Sequence, residues 1–222
     1  MGEQSAVITL ALAKGRLQCA ALARLAEGGV TVSPEQLDSR RLVLEEATGE
    51  YRFLLVKPGD VPIYVEHGVA QAGVCGRDIL LEYEPDVYEP LDLDFGFCRL
   101  AVAGRTDTAW QAANRLSKLR VATKYPRVTQ KHFQRRATPV DIIPLTGSVE
   151  LAAVLGLADC IVDIVETGRT LDENGLTILE TIAPVSARCI VNRAAFHLER
   201  PRIARLLERL APTSAPASAP TA

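Results

Sequence analysis

An apolar strand that runs straight into a short polar loop holds the most chemically suggestive residues of the chain. Cys160-Ile161-Val162-Asp163-Ile164-Val165 reads as a buried strand, and Glu166-Thr167-Gly168-Arg169-Thr170 follows it directly. Thr170 and Glu173 have the spacing of a capping box, which predicts a short helix capped by Thr170 and stopping near Asn174-Gly175. A strand–loop–helix junction points backbone N–H groups outward at the positive end of a helix, so it can cradle a phosphate. Thr167 and Thr170 add hydroxyl donors, and Gly168 allows close approach to the backbone. Two carboxylates, Asp163 and Glu166, stand just ahead of this cradle. Acids beside an anion site suit a ligand that also presents sugar hydroxyls or a divalent cation. Together these residues call for a phosphorylated ribose.

Other loops have related chemistry. Thr146-Gly147-Ser148-Val149-Glu150 is a second strand–loop–helix junction; Gly147 and Ser148 can supply phosphate donors, or the segment can simply cap a helix. Gly73-Val74-Cys75-Gly76-Arg77-Asp78 is a third, where the glycines admit either a ligand or a packed neighbour. Its candidates are Gly76 and Asp78. Lys14-Gly15-Arg16 is a basic loop after the first strand, and Arg40-Arg41 opens the segment Arg41–Glu46. The planar fork of arginine suits pyrophosphate because it binds two oxygens at once. His67, His132 and His197 are isolated and read as non-catalytic, and no side-chain motif for a metal is present. Walker A, GxGxxG and GxSxG patterns are absent too.

Composition narrows the partners. With 222 residues and a net charge of −2, the chain has the balance of an ordinary globular protein and lacks the basic excess of a nucleic-acid binder. The five cysteines are scattered beside apolar segments, so buried free thiols are expected rather than disulfides or zinc. The apolar run Ala6–Ala13 is too short to span a bilayer and is poorly flanked for a signal peptide. No membrane association and a cytoplasmic location are expected.

The elements that must position these loops alternate as α/β. Strands are expected at Val7–Ala13, around the turn Ala47-Thr48-Gly49-Glu50, at Ala72–Gly76, from Phe97 to Gly104, and at Leu119–Tyr125, Val140–Leu145 and Cys160–Val165. Helices are expected from Leu17 to Glu27, from Asp60-Val61-Pro62 to near Gly68, from Arg77, over Val128–Arg136, up to Gly156, and over Arg202–Leu210. Thr177–Arg193 reads as strand material leading back. Each candidate loop leaves the carboxyl end of a predicted strand, where ligands sit in open α/β sheets. Two lobes follow: residues 1–100 plus 186–210, and residues 101–185 with the phosphate loop, ahead of a disordered Pro/Ala tail over 211–222.

With these pieces assembled, the chain resembles the short form of the ATP phosphoribosyltransferases. The matching stretches are ITLALAKGR, DVPIYVEHG, AGVCGRDIL, RVATKYP, the long block from Leu145 to Leu176, and SARCIVN. The resemblance implies a two-lobed fold like the type II periplasmic binding proteins, with the active site in the cleft between lobes. It implies transfer of a phosphoribosyl group from phosphoribosyl pyrophosphate to N1 of ATP, with Mg²⁺ carried by the substrate, as the first step of histidine biosynthesis. Asp163 and Glu166 would face the ribose hydroxyls, and Thr167, Gly168, Arg169 and Thr170 would hold the 5-phosphate. Arg16 and Arg40 would act on pyrophosphate as catalytic residues, and Lys14, Gly15, Arg16, Gly76 and Asp78 would serve ATP or pyrophosphate. The resemblance also implies a homodimer within a hetero-oligomer, completed by a histidyl-tRNA-synthetase-like regulatory subunit.

Two alternatives carry different chemistry. A non-catalytic ligand-binding module of the same two-lobed fold would have no obvious use for acids ahead of TGRT. A type I phosphoribosyltransferase would place two adjacent acids there, whereas here they are separated as Asp163-x-x-Glu166. The implied reaction needs no strong general base, because adenine N1 has a free lone pair, and this fits the lack of a convincing histidine.

Overall fold

The alternation of apolar runs and polar loops produces two α/β units, each built on its own mixed sheet. A computed structural model of the protein describes residues 7–106 and 118–212. In chain order its elements are β1 (Ile8–Ala13), α1 (Arg16–Glu27), α2 (Pro34–Leu37), β2 (Val43–Glu45), β3 (Tyr51–Val56), α3 (Val61–Glu66), β4 (Ala72–Gly76), α4 (Arg77–Tyr83) and β5 (Val87–Asp92). They continue as β6 (Cys98–Gly104), β7 (Leu119–Thr123), α5 (Pro126–Arg135), β8 (Val140–Pro144), α6 (Glu150–Val154), β9 (Cys160–Val165) and α7 (Arg169–Glu173). The last four are β10 (Thr177–Val185), β11 (Ala187–Asn192), α8 (Arg193–Leu198) and α9 (Arg200–Leu210). One unit takes in the chain up to Leu80, Glu84–Gly96 and the chain from Ser186 onward; the other takes in Leu81–Tyr83 and Phe97–Val185. Of the tail expected over 211–222, residues 213–222 lie outside the described residues.

The sheet of the first unit has the order β2-β3-β1-β4-β11-β5. β1 is parallel to β3 and to β4, so the carboxyl ends of all three meet at one edge. β1 is buried along its whole length and apolar but for Thr9, because both of its faces are covered. Leu10 and Leu12 pack with Leu25 of α1 and with Ile203, Leu206 and Leu210 of α9, while Ala11 and Ala13 share a core with Val61 and Val65 of α3. Gly73 belongs to this packing. A methyl group there would lie 2.8 Å from Val61 Cγ1 and 2.9 Å from Val65 Cγ2, too close for α3 to keep its place.

The second unit has the order β10-β6-β9-β7-β8. β7 runs parallel to both β9 and β8, which again brings three strand carboxyl ends together. Ile161 and Val165 of β9 pack with Ala101 and Ala103 of β6, Ala152 and Ala153 of α6 and Leu171 of α7. Leu81–Tyr83 goes with this unit, and the buried Glu82 carboxylate accepts from the Arg127 and Val128 amides at 3.0 Å each, satisfying the start of α5.

The stretch Thr177–Arg193 is two strands in two different sheets, divided at Ser186. Two features depart from the sequence expectations. β5 is a strand that the sequence reading does not single out; it is the sheet's edge, where the missing donor of Pro90 is tolerated. Asp60, which beside Val61-Pro62 reads as an N-cap aspartate, makes no side-chain cap to α3; it closes a 3-10 turn over Pro58–Asp60 with helical backbone angles, whereas a capping residue is typically extended.

Candidate functional site

The loop after β9 is set by one glycine. Gly168 has φ 85° and ψ −8° and caps α7, which turns the chain sharply as it leaves the strand. The helix therefore begins at Arg169, two residues earlier than a Thr170 cap would require. The expected capping box does not form: Thr170 lies inside α7, and Glu173 accepts from Arg169 Nε at 2.7 Å. A guanidinium is a stronger partner for that carboxylate than a backbone amide. α7 ends at Asn174 and Gly175, as its sequence predicts. Because this helix is only five residues long, donors in the turn matter more than a helix dipole.

Asp163 lies on the same face of β9 as Ile161 and Val165, and it is buried. Its Oδ1 accepts from the Ile164 amide at 2.8 Å, and its Oδ2 lies 3.8 Å from Lys124 Nζ. Glu166, Thr167 and Thr170 are exposed, with Thr167 Oγ1 accepting weakly from the Arg169 amide at 3.4 Å. Arg169 is also exposed, turned along α7 toward Glu173. Gly147 and Ser148, in the loop after β8, sit at the same edge of the sheet because β7, β8 and β9 are parallel. Val149 rather than Ser148 is the cap residue of α6, and Ser148 adopts φ 46° in the left-handed region. Lys124 was not singled out from sequence. The available signal was that it, too, follows the carboxyl end of a strand in Thr123-Lys124-Tyr125-Pro126.

The first unit gathers the remaining candidates at one edge of its own sheet. Lys14, Gly15 and Arg16 follow β1 and are exposed, and the Lys14 amide donates to Val56 O at 2.9 Å. Gly15 has φ 97° and ψ −145°, angles that a side chain rarely permits, and nothing else occupies the space beside it. Arg40 precedes β2, which is antiparallel to β3 with Val43 opposite Leu54. That register carries the exposed Arg40 to the carboxyl end of β3, the same edge as Lys14. Gly76 and Asp78 follow β4. Asp78 is buried and folds back on Gly76, so a methyl group there would stand 2.1 Å from Asp78 Oδ1. The space at Gly76 is thus taken by the protein's own carboxylate. Burial, helped by Asp78, pushes the nearby Cys75 thiol well up from its ordinary range.

Among the described residues no group of three or more His, Cys, Asp or Glu side chains is placed to hold a metal ion, and no helix is long and apolar enough to cross a membrane. Near the β9 loop the acidic donors singled out are Asp163 and Glu166, and Asp163 faces the Ile164 amide and Lys124.

The family model for ATP phosphoribosyltransferase matches residues 57–212. An ATP phosphoribosyltransferase of Caldanaerobacter subterraneus subsp. tengcongensis is 48% identical over 204 residues, covering 92% of this chain and 96% of the relative. One of Geobacillus kaustophilus is 48% identical over 205 residues, covering 92% and 97%. The solved ATP phosphoribosyl transferase (HisG:HisZ) complex from Thermotoga maritima contains a chain that matches with a TM-score of 0.79 at 37% identity, covering 92% of this chain and 96% of that one. The periplasmic aliphatic sulphonate binding protein SsuA from Escherichia coli shares the fold alone, with a TM-score of 0.57 at 12% identity over 92% and 71% of the two chains. The chain belongs to the ATP phosphoribosyltransferase family, pentosyltransferases that catalyse the first step of histidine biosynthesis.

Proposed function

We propose a division of roles within the ATP phosphoribosyltransferase reaction, in which N1 of ATP displaces pyrophosphate from C1 of phosphoribosyl pyrophosphate. The β9 loop takes the donor. Asp163 and Glu166 meet the ribose hydroxyls, while the hydroxyls of Thr167 and Thr170 and the turn amides around Gly168 hold the 5-phosphate. Arg169 contributes its backbone rather than its guanidinium, which is engaged by Glu173. Gly147 and Ser148 add donors from the neighbouring loop. Lys14, Gly15 and Arg16 serve the phosphates of ATP or the departing pyrophosphate, while Gly76 and Asp78, which fill one another's space, shape the turn after β4. Arg16 and Arg40 stabilise the charge that grows on that leaving group. The observation that carries this assignment is the β9 junction itself: a left-handed glycine turn with a buried acid three residues ahead of a second acid.

Mg²⁺ is assigned to the substrate. The donor set near the loop is too small for an all-protein cage, yet two carboxylates beside a pyrophosphate suit an octahedral ion that keeps its phosphate and water ligands. Bound there, the ion would neutralise charge on pyrophosphate. The chain's own residues orient the ribose and hold C1 open to in-line attack. Adenine N1 needs no base, so departure of the leaving group is the harder task, and each donor aimed at it is worth about 2.7–4 kcal/mol of barrier.

By analogy with the Thermotoga maritima complex, a regulatory subunit of the histidyl-tRNA-synthetase-like kind is proposed as the partner, with this chain as a homodimer inside the assembly and located in the cytoplasm. Pre-steady-state kinetics test the roles. Thr167→Ala should weaken phosphoribosyl pyrophosphate binding by roughly 10- to 150-fold, the worth of a hydrogen bond to a charged group. Arg40→Ala should slow the chemical step by about 10²- to 10³-fold with smaller effects on binding. An unchanged burst rate in Arg40→Ala would remove that residue from the leaving-group role.

A further inference from the structure

We propose that Lys124 is a catalytic residue that donates to the departing pyrophosphate, an inference that rests on assigning the β9 loop to phosphoribosyl pyrophosphate. β7 and β9 are parallel neighbours with Thr123 level with Val162, so Lys124, just past the end of β7, stands beside Asp163 within β9. Lys124 Nζ is 3.8 Å from Asp163 Oδ2.

The root of this lysine is fixed from both sides. Thr123 is fully buried; its Oγ1 donates to Val162 O at 2.7 Å and accepts from the Tyr125 amide at 2.8 Å. The Leu145 amide donates to Thr123 O at 2.9 Å, which ties the same residue to the end of β8. Asp163 is held as well, by the Ile164 amide on Oδ1, and this leaves Oδ2 toward the ammonium. The lysine side chain is 39% exposed and the aspartate side chain 11%, so a buried acid anchors a cation whose head reaches solvent. A purely structural ion pair of such exposure contributes little to stability. The loop's own cation, Arg169, is directed to Glu173 instead.

Substrate stereochemistry supplies the remaining step. In α-configured phosphoribosyl pyrophosphate the pyrophosphate at C1 lies on the same ring face as the 2- and 3-hydroxyls. An acid that meets those hydroxyls therefore places its ion-pair partner beside the pyrophosphate. As the C1–O bond breaks, its electron pair leaves with pyrophosphate while N1 of adenine forms the new bond to C1. No proton leaves Lys124 in this step. One of its N–H groups can remain toward Asp163 while the others donate to oxygens that gain charge.

The test compares Lys124→Met, Lys124→Arg and Thr167→Ala with the wild-type chain in complex with its regulatory subunit. Lys124→Met should lower kcat on the order of 100-fold, weaken inorganic pyrophosphate binding, and leave KM for ATP and the thermal midpoint unchanged. Lys124→Arg should recover part of the rate, since a purely packing role would gain nothing from a restored charge. Wild-type kcat and pyrophosphate affinity in Lys124→Met would overturn the role of Lys124. If Thr167→Ala were silent as well, the fault would lie with the assignment of the loop; if only Lys124→Met were silent, it would lie with Lys124.

Discussion

Replacing Gly168 by alanine isolates the backbone turn on which the donor site depends. At φ 85° and ψ −8° the residue sits where side chains are disfavoured. A methyl group added there would meet Val165 Cγ1 at 4.0 Å, an ordinary contact. Space is therefore not the obstacle, and the cost is conformational, about 1–2 kcal/mol for an L-residue held in the left-handed region. If the loop keeps its shape, that cost appears as lost stability. If the loop relaxes to negative φ, only a fraction of molecules present the bound conformation, and apparent affinity for phosphoribosyl pyrophosphate falls by about 5- to 30-fold. Gly168→Asn is the control, because asparagine enters the left-handed region more readily than alanine. Calorimetric titration with phosphoribosyl pyrophosphate and Mg²⁺, run beside thermal unfolding, reads both quantities. Alanine matching the wild type in both, or asparagine performing no better than alanine, would refute the reasoning.

Gly73→Ala should behave in the opposite way, destabilising the protein by about 1–3 kcal/mol through overpacking against Val61 and Val65 while leaving phosphoribosyl pyrophosphate affinity unchanged. Arg169→Ala should alter donor KM by less than about twofold, since the residue forms an exposed pair with Glu173 of the kind worth about 0.3–0.5 kcal/mol. A thiol reagent should modify the exposed Cys19 in the native protein and spare Cys75, Cys160 and Cys189. Burial pushes the Cys189 thiol from 9.0 to about 12, so stability should fall as pH rises through that window, where the unfolded thiol ionises first. His132 tests the acid side. Burial lowers its pKa from 6.5 although Glu180 lies 3.5 Å away, because Arg136 also pairs with that carboxylate. The folded state then binds fewer protons than the unfolded one, so stability should fall as pH drops below 6.5, and His132→Asn should flatten that slope in urea titrations.

Much of the architecture was legible because burial writes itself into composition. β1, but for Thr9, and β9, but for Asp163, are apolar runs because both are largely covered, and the loops after them announce themselves with glycine, threonine and charge. The edge strand β5 was not legible, since it carries two acids and a proline and has no buried position. Lys124 was hidden for another reason: pairing partners, not local sequence, decide which residues a sheet brings together. Its type and place after a strand were visible, but its distance from Asp163 depends on β7 and β9 being parallel neighbours. The Thr170 capping box failed because two local signals competed, and the glycine turn together with the Arg169–Glu173 pair prevailed.

The most direct measurement of the central claim is product analysis. The protein is incubated with ATP, phosphoribosyl pyrophosphate and Mg²⁺, with and without a histidyl-tRNA-synthetase-like subunit, and the nucleotides are resolved by mass and ultraviolet spectrum. The account predicts N1-(5-phosphoribosyl)-ATP and an equal amount of pyrophosphate, formed faster when the subunit is present. Absence of that product under both conditions would contradict it.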